Sequence, residues 1–441
     1  MSNIKLFHTY ISQKNLKKTY FEKVYYTTAM GVDNISPSTF NKKHLEEIEI
    51  INKKVKNNTY KFSKYKLKLI NKGKNKPPRD LYIPTIRDRL LLKVINDFLL
   101  TIYNNDIIQK LPQIVVKEVK EQFLSNNYDT YVKVDIQSFY PSINKEILIN
   151  IIKRKVRSNT FIRLIKQSLN PKNLHNMNSI DGVPQGLSIS NTLAHLYLID
   201  IDKSFISKPN LSYFRFVDDI LIFCNEKDID TVKKDLYNLF QKKQLTIYPI
   251  QPEGSKSKIG KINHDYFEYL GYKFTDRKIT IRESSANKIR NSLVEIFTAY
   301  KYDSNKNIDL LKWSLNLKIS GCIHENKSKG WVFFYSQVTD ISLIYELDHF
   351  VKILANKFKI PEILKDIKKF STTFYEINHN LNNTKYIPNF DKINLDKKIK
   401  ILEKYFDFPC KNLTEEEIND EFQKRIRKKI SKLLTDPRDF S

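Results

Sequence analysis

The chain of 441 residues is 41% hydrophobic, which is enough for a sizeable core and about three domains. Its formal net charge of +27 predicts a polyanionic partner such as nucleic acid, although compositional drift in a chain rich in Lys, Asn and Ile is the alternative. Three scattered cysteines exclude a disulfide framework or a zinc module, and the lack of a signal peptide or a long apolar run excludes a membrane span. We therefore expect a cytoplasmic protein without membrane contact.

Residues 1–70 are predicted to be mostly helical and basic, with a turn at 31–36 (GVDNIS) that leads into a helix. Residues 79–84 (RDLYIP) alternate as a strand does, and Thr85 opens a capping box for an apolar, buried helix up to about Tyr103. Arg79 lies on this strand beside a lysine-rich loop. Its guanidinium could hold the oxygens of a triphosphate in a fork, and a solvated arginine is the alternative.

A second strand (YVKVDI) ends at Asp135, whose carboxylate is either a metal ligand or a cap of the following turn. Residues 182–190 (GVPQGLSIS) then form a turn with Gly at both ends, which feeds an apolar helix that we expect Ser188 or Ser190 to cap. Such a turn lets the backbone approach a ligand closely, and Gln185 adds an amide that can donate to a base or a sugar.

Residues 214–223 (FRFVDDILIF) place two carboxylates between aromatic and β-branched runs, which predicts a tight hairpin with Asp218 and Asp219 at its tip. A solvated turn is the alternative, because an Asp pair is common. If this hairpin neighbours the strand that ends at Asp135, the three carboxylates converge. Two Mg²⁺ ions about 4 Å apart could then clamp an in-line phosphoryl displacement, which is the chemistry of a nucleotide polymerase.

Downstream of the hairpin, the pattern predicts a helix (228–243), a strand (245–248), a polar loop (253–258), a strand with a kink or a close approach at Gly271 (267–274) and a paired strand (278–282). Residues 284–441 are predicted to be mainly helical. Their aromatic run 330–335 (GWVFFY) could stack on bases, but packing in a core is favoured. A capping box at 414–417 opens the last helix, whose basic face either contacts nucleic acid or is solvated.

Taken together, these motifs resemble those of bacterial reverse transcriptases over about residues 30–283. Residues 31–36 and 79–89 resemble the fingers motifs of that family. DIQSFYPSI (135–143) is similar to palm motif A, GVPQGLSIS to motif B, FVDD (216–219) to motif C and FEYLGYKF to the primer grip. Because the motifs follow the family's order, the resemblance is specific.

The resemblance implies that Asp135, Asp218 and Asp219 are the catalytic, metal-binding carboxylates. They would hold two Mg²⁺ ions, for which Mn²⁺ is a substitute, and the backbone carbonyl of Ile136 would add a ligand. Tyr140 would stand where a 2′-hydroxyl would clash, which favours DNA synthesis over the RNA synthesis of viral RNA-dependent RNA polymerases.

The same resemblance assigns the remaining contacts to substrates. Arg79 would hold the triphosphate of the incoming dNTP, and Gln185 would contact the pair formed by template and nucleotide. Either Lys256 or Lys258 would be the motif D lysine at the dNTP. The primer grip would consist of Tyr269, Leu270, Gly271 and Tyr272.

Two departures from the family's usual pattern point to one of its branches. Motif C has Phe216-Val217 where many members have Tyr-Ala or Tyr-Met, and motif B ends in Ser190-Asn191 where intron-encoded and retron enzymes usually have Ser-Pro. The chain also lacks the zinc-type nuclease module of many intron enzymes. We expect the phage-defence branch (abortive-infection or "unknown group" enzymes), in which some members work with a dedicated non-coding RNA. A retron or group II intron enzyme, a template-independent or protein-primed polymerase, and an RNA-binding scaffold with an inactive palm remain alternatives.

We therefore expect an α+β right-hand polymerase, with an antiparallel sheet in the palm, followed by a mainly α-helical C-terminal extension. The expected domains are fingers (1–130), palm (131–283, with a fingers or connecting insertion near 149–180), thumb (284–345) and extension (346–441). The expected partners are an RNA template, dNTPs and a DNA product, and a homo-oligomer or a protein partner is left open.

Overall fold

The computed structural model describes residues 3–71, 77–104, 106–107, 110–170 and 180–433. Part of the predicted insertion near 149–180 and the end of the predicted extension (171–179 and 434–441) lie outside these residues. The chain divides into two compact units: Met1–Gln109 with Val132–Ile259, and Lys110–Tyr131 with Gly260–Ser441. The predicted division into fingers, palm, thumb and extension is a functional one that these units do not test, and it stays a prediction.

The helices and strands of the described residues follow in chain order. The helices are α1 Asn3–Tyr10, α2 Gln13–Thr19, α3 Pro37–Lys42, α4 His44–Lys56, α5 Ile86–Ile102, α6 Pro112–Leu124, α7 Phe139–Ser142, α8 Lys145–Lys153, α9 Asn159–Leu169, α10 Ser190–Ile206, α11 Ile229–Lys242, α12 Glu283–Tyr302, α13 Ile308–Ser320, α14 Trp331–Phe334, α15 Ser342–Lys357, α16 Phe370–His379, α17 Leu395–Phe406 and α18 Glu415–Leu433. The strands are β1 Lys66–Ile70, β2 Arg79–Ile83, β3 Thr130–Val134, β4 Ser212–Phe216, β5 Asp219–Cys224, β6 Lys258–Lys261, β7 Phe267–Tyr269, β8 Tyr272–Thr275, β9 Lys278–Ile281, β10 Cys322–His324 and β11 Lys327–Lys329. Tyr20–Val24 is a π-helical turn, and Glu226–Asp228 and Pro361–Asp366 are 3₁₀ turns.

The first unit is built around two buried helices, α5 and α10. More than half of the residues of each helix are buried, and a helix with so wide an apolar surface is stable only inside a core. Thr85 caps α5 as predicted, because its side-chain oxygen accepts the backbone N–H of Asp88 at 3.2 Å. The beginning of α3 after Ser36 and the strand at Arg79–Ile83 also agree with the sequence-based predictions.

A four-stranded sheet in the order β4–β5–β3–β6 carries the predicted catalytic residues of this unit. Five of the six residues of β5 are buried, which accounts for their continuous apolar pattern. The unit boundaries fall within β3 and β6. A separate antiparallel hairpin pairs β1 with β2, so that Ile70 lies opposite Arg79. The predicted strand at 245–248 is wrong: Ile247 forms an isolated bridge with Ile136 instead.

The second unit contains an antiparallel sheet in the order β7–β8–β9. The prediction of one continuous strand at 267–274 is wrong, because Leu270 and Gly271 form a two-residue turn between β7 and β8. The predicted alternative of a close approach at Gly271 is confirmed, because a Cβ there would lie 2.6 Å from Tyr335 Oη. Both turn residues have positive φ (48° and 80°), the combination that a type I′ hairpin requires. The turn places the rings of Phe267 and Phe274 opposite each other, stacked at 4.7 Å.

The rest of the second unit is mainly helical, as predicted. The aromatic run at 330–335 forms the short helix α14 and is buried, so its packing role is confirmed. Thr414 and Glu417 form the predicted capping box: each side chain accepts a hydrogen bond from the other's backbone N–H. Helices α17 and α18 share a core with Leu317 of α13 and Cys322 of β10.

The α+β class with antiparallel sheets and a helical C-terminal part is confirmed, and it is consistent with the right-hand polymerase fold that the resemblance implies. Within the described part of the chain, we find no helix that is both long and apolar enough to cross a membrane.

Candidate active site

The hairpin of β4 and β5 presents Asp218 in its turn. Phe216 pairs with Asp219, which leaves Val217 and Asp218 as a two-residue loop. Only Asp218 therefore occupies the tip, and the expectation that both carboxylates lie there is wrong: Asp219 is the first residue of β5. Val217 has φ of 58°, a conformation that normally needs glycine and strains a β-branched residue.

Asp135 follows β3, the strand next to β5 in the sheet. Its backbone N–H donates to Ser257 Oγ at 2.9 Å, and its carbonyl accepts the amide of Tyr248 at 3.0 Å. Ser257 is fully buried, so its contact with Asp135 holds the end of β3 against the core. The half-buried side chain of Asp135 is thereby held at the same edge of the sheet as the Asp218 turn.

The two carboxylates interact electrostatically. Burial raises the pKa of Asp218 above its ordinary value, and the negative charge of Asp135 raises it further, while Arg79 and Arg215 lower it. Burial also raises the pKa of Asp135, against the opposing charges of Lys256 and Lys133. Such mutual repulsion between two acids is what a divalent cation relieves, because oxygen ligands suit a hard cation.

The carboxylate oxygens of the site are the type of ligand that a hard cation prefers. In the ranges given above, no group of three or more His, Cys, Asp or Glu side chains lies close enough together to hold a metal ion. The observed cluster is therefore the pair Asp135 and Asp218, and Asp219 is adjacent along the chain rather than a proven third member. Oxygen donors without a neighbouring His or Cys suit Mg²⁺ or Mn²⁺ better than zinc.

Tyr140 and Arg79 lie close enough to Asp218 to interact with it electrostatically. Burial raises the pKa of Tyr140 to about 12, and the charge of Asp218 contributes, while Arg79 and Arg215 lower it. Arg79 begins β2, and Tyr140 lies on α7, just after Asp135 in the chain. The structure therefore brings together Arg79, Asp135, Tyr140 and Asp218, four residues that the sequence singled out.

The glycine-flanked turn at 182–190 joins these elements through its backbone. The amide of Val183 donates to the carbonyl of Tyr140 at 2.9 Å, and the carbonyl of Gln185 accepts the amide of Tyr82 at 2.8 Å. Gly182 has φ of 60°, and a Cβ there would lie 2.0 Å from the Tyr140 carbonyl oxygen. This glycine is therefore required by a close approach between two backbone segments.

The predicted cap of α10 is wrong. The residue that precedes the helix is Ile189, and no side chain of the described residues caps it. Ser190 instead donates its hydroxyl to the Pro184 carbonyl, which closes the preceding turn. The Ser188 hydroxyl is buried without a partner among the described residues.

The two candidate lysines of the polar loop differ in position. Lys256 donates to Tyr248 Oη at 3.0 Å and lies 4.4 Å above the centre of that ring. Its charge lowers the pKa of Asp135, so it belongs to the site's electrostatic environment. Lys258 begins β6 and bridges to Gln251.

The predicted primer-grip residues lie in the second unit. Tyr269, Leu270 and Tyr272 are at most 2% exposed, and Tyr272 donates its hydroxyl to the Phe334 carbonyl. A Cβ on Gly271 would lie 2.6 Å from Tyr335 Oη. The side chains of Tyr269, Leu270 and Tyr272 are part of the core of the second unit, and contact with a primer stays a prediction.

Sequence reasoning missed a buried ion pair behind the Asp218 turn. Arg215 of β4 donates from Nε to Asp202 Oδ1 of α10 at 2.7 Å, and from a terminal nitrogen to the carbonyl of Val217 at 2.7 Å. The alternation Phe214-Arg215-Phe216 was a usable signal, because it places Arg215 on the opposite face of the strand from its aromatic neighbours.

Comparisons with known proteins agree with the motifs in this region. Residues 70–274 match the family "Reverse transcriptase (RNA-dependent DNA polymerase)". The group II intron-encoded protein LtrA of Lactococcus lactis subsp. cremoris is 25% identical over 207 residues, which cover 44% of this chain and 34% of that protein. An uncharacterized 91 kDa protein in the cob intron of Schizosaccharomyces pombe is 24% identical over 207 residues, which cover 45% of this chain and 26% of that protein.

The chain thus spans about a third or less of the length of these relatives. Among solved structures, the telomerase of Candida albicans in complex with a fragment of telomeric RNA is similar with a TM-score of 0.42 at 13% identity, over 89% of this chain and 67% of that one. Apo telomerase of Candida tropicalis gives a TM-score of 0.40 at 14% identity, over 85% and 66%. By sequence, residues 70–274 are therefore similar to a reverse transcriptase domain, with distant similarity to group II intron-encoded proteins.

Proposed function

We propose that the residues around Asp135 and Asp218 are the active site of an RNA-directed DNA polymerase. The observation that carries this proposal is the pair of interacting carboxylates, one after a central strand and one in a hairpin turn, within the reverse transcriptase domain. A fully solvated turn would not hold Asp218, which is only partly exposed, next to a second acid, because two like charges that are partly removed from water repel each other.

Asp135 and Asp218, with Asp219 and the carbonyl of Ile136, are the groups that would hold divalent cations, and we propose two Mg²⁺ ions, replaceable by Mn²⁺. When bound, such ions activate the primer's hydroxyl and stabilise the departing pyrophosphate. The protein's own contribution is to keep the ligands in place. The buried Ser257 fixes the backbone at Asp135, and the β4–β5 pairing fixes the turn at Asp218.

The neighbouring residues would bind and orient the nucleotide. Arg79 supplies a positive charge within reach of Asp218, as a triphosphate ligand requires. Tyr140, anchored through its own backbone carbonyl, would exclude a 2′-hydroxyl by its ring. Gln185 would contact the template–nucleotide pair, and Lys256 is favoured over Lys258 as the lysine at the dNTP because its charge reaches Asp135.

A primer end would meet the second unit through Tyr269, Leu270, Gly271 and Tyr272. Since three of these side chains are buried, we propose that backbone groups of the β7–β8 turn make the contact. The template is proposed to be RNA, in keeping with the net charge of +27 and with the reverse transcriptase domain.

The finer proposal is a role in bacterial anti-phage defence with a dedicated non-coding RNA, in the cytoplasm. It is supported by Phe216-Val217, by Ser190-Asn191 and by the helical segment after residue 284. The similarity to a group II intron-encoded protein favours a second candidate, a mobile-element reverse transcriptase. Sequencing the RNA that copurifies with the protein separates the two, because an intron or a retron RNA is recognisable.

The experiment that tests the activity is incorporation of labelled dNTPs by purified protein with its copurifying RNA and Mg²⁺, before and after RNase treatment. Loss of incorporation after RNase supports synthesis on an RNA template. Incorporation that survives RNase points to template-independent or protein-primed synthesis. Tight RNA binding without incorporation would contradict the proposal and favour an RNA-binding scaffold.

A further inference from the structure

Arg215 lies behind the Asp218 turn and links it to helix α10. Its side chain is 6% exposed and that of its partner Asp202 is 17% exposed, so the ion pair is largely removed from water. Asp202 accepts from both Nε and a terminal nitrogen of the guanidinium, which is a two-pronged contact of fixed geometry. Asp202 also accepts the hydroxyl of Tyr213 at 2.8 Å.

The other side of the guanidinium is bound to the turn and to a second residue of α10. One terminal nitrogen donates to the Val217 carbonyl at 2.7 Å, and the other lies 3.3 Å from His195 Nδ1. His195 is buried, and both its burial and the charge of Arg215 lower its pKa, so the ring is neutral and can accept this hydrogen bond. Each nitrogen of the guanidinium thus has an acceptor.

The contact with Val217 matters because of where that carbonyl lies. It belongs to the peptide that joins Val217 to Asp218, so holding its oxygen fixes the orientation of the peptide plane that enters Asp218. Val217 has a φ of 58°, which is strained for a β-branched residue and persists only when its surroundings impose it. Arg215 can impose this conformation, because its guanidinium is held by Asp202 of the buried helix α10 and donates to the Val217 carbonyl.

We propose that Arg215, held by Asp202 and His195, is a positioning residue that imposes the strained Val217–Asp218 turn and thereby aims the Asp218 carboxylate at the site next to Asp135. This inference rests on the proposed polymerase function, to which it adds residues outside the set that the sequence motifs assigned. The role needs the fork of arginine, because a lysine ammonium cannot contact Asp202, Val217 and His195 in the same fixed geometry.

The kinetic test compares variants in primer extension on an RNA template. Arg215→Lys keeps the positive charge, and we expect it to lower kcat on the order of tenfold or more while KM for dNTP changes by less than about twofold. Asp202→Asn should shift kcat in the same direction. The matched control is Asp200→Asn, two positions away on α10: Asp200 is also ion-paired, with Arg154 at 2.8 Å and Lys243 at 2.6 Å, in contacts that do not include the turn.

A structural readout keeps the inference testable apart from activity. Crystal structures of the unmodified chain and of Arg215→Lys should differ in the Val217–Asp218 peptide, with Val217 leaving positive φ in the variant. If the unmodified chain extends no primer, the proposed function fails, and this comparison still decides whether Arg215 holds the turn. If Arg215→Lys does not fold, Asp202→Asn takes its place in both measurements.

Three results would overturn the inference. The first is an unchanged turn in the variant crystal structure. The second is a raised KM with unchanged kcat, which would make Arg215 a nucleotide ligand. The third is an equal loss of activity in Asp202→Asn and Asp200→Asn, which would indicate a general loss of stability.

Discussion

The amide of Val183 donates a hydrogen bond to the carbonyl of Tyr140 at 2.9 Å, and this contact joins the glycine-flanked turn to the segment that follows Asp135. It leaves no room for a side chain at the preceding residue, Gly182, because a Cβ there would lie 2.0 Å from the Tyr140 oxygen. The local geometry of the site therefore depends on a backbone contact that no side-chain motif describes.

The first prediction concerns this close approach. Gly182→Ala should lower the melting temperature and abolish nucleotide addition, because both the positive φ and the overlap with backbone atoms are unfavourable. The matched control is Gly254→Ala, which has a φ of 76° but whose nearest neighbour would lie 3.6 Å away. The control measures the loss of stability that comes from placing alanine at positive φ alone, on the order of 1 kcal/mol. Equal melting temperatures for the two variants would contradict the close approach.

The second prediction concerns sugar selection. In Tyr140→Ala, the ratio of kcat/KM for rNTP to kcat/KM for dNTP should rise on the order of tenfold or more, because the ring no longer fills the space of a 2′-hydroxyl. Tyr140→Phe keeps the ring and should retain the preference. The measurement is kcat/KM for dNTP and rNTP on one primer and template. If the preference is lost in the Phe variant but not in the Ala variant, exclusion by the ring is wrong.

The third prediction separates the two lysines of the polar loop. Lys256→Met should slow nucleotide addition on the order of tenfold, because it removes a positive charge that acts on Asp135. Lys258→Met serves as the control and should retain most of the rate, since Lys258 belongs to β6. Single-turnover rates at saturating dNTP provide the comparison. The reverse order of effects would reassign the lysine at the dNTP.

The fourth prediction uses His195, whose pKa is lowered to about 3 by burial and by Arg215. As pH falls from about 6.5, the unfolded chain takes up a proton at this residue that the folded chain does not. The free energy of unfolding should therefore fall by up to about 1.4 kcal/mol per pH unit from this group. His195→Gln removes this contribution, so its stability should decline less steeply between pH 6.5 and 4. His264→Gln, at an exposed position, is the control for replacing a histidine by glutamine elsewhere in the chain.

Local signals predicted much of the fold because they are short-range. The limits of β2 and the caps of α3, α5 and α18 depend only on residues a few positions apart in the sequence. The hairpin at Leu270-Gly271 was missed because a non-glycine residue occupies its first turn position, so the pattern is indistinguishable from one kinked strand. Ser190 was expected to cap α10, but its hydroxyl found a partner in the preceding turn.

The site was predicted as a set of residues, and its geometry was predicted only on the condition that the hairpin neighbours the strand that ends at Asp135. Asp135 and Asp218 each follow a strand-like run of apolar residues that a single sequence displays, whereas their interaction depends on strand order. Lys256 contacts Tyr248, and Arg215, which borders the Asp218 turn, is held by Asp202 and His195 of the distant helix α10. Such contacts between distant segments carry no period or spacing that a sequence displays.

The most direct test of the central claim is single nucleotide addition to a defined primer on an RNA template by the unmodified chain and by Asp218→Asn. Asp230→Asn, an exposed acid at the start of α11, is the control for loss of one negative charge. The account predicts that Asp218→Asn loses nucleotide addition by a factor on the order of a thousand while Asp230→Asn keeps it, because the amide cannot replace a carboxylate as a ligand of a divalent cation. Equal activity of the two variants would contradict the account.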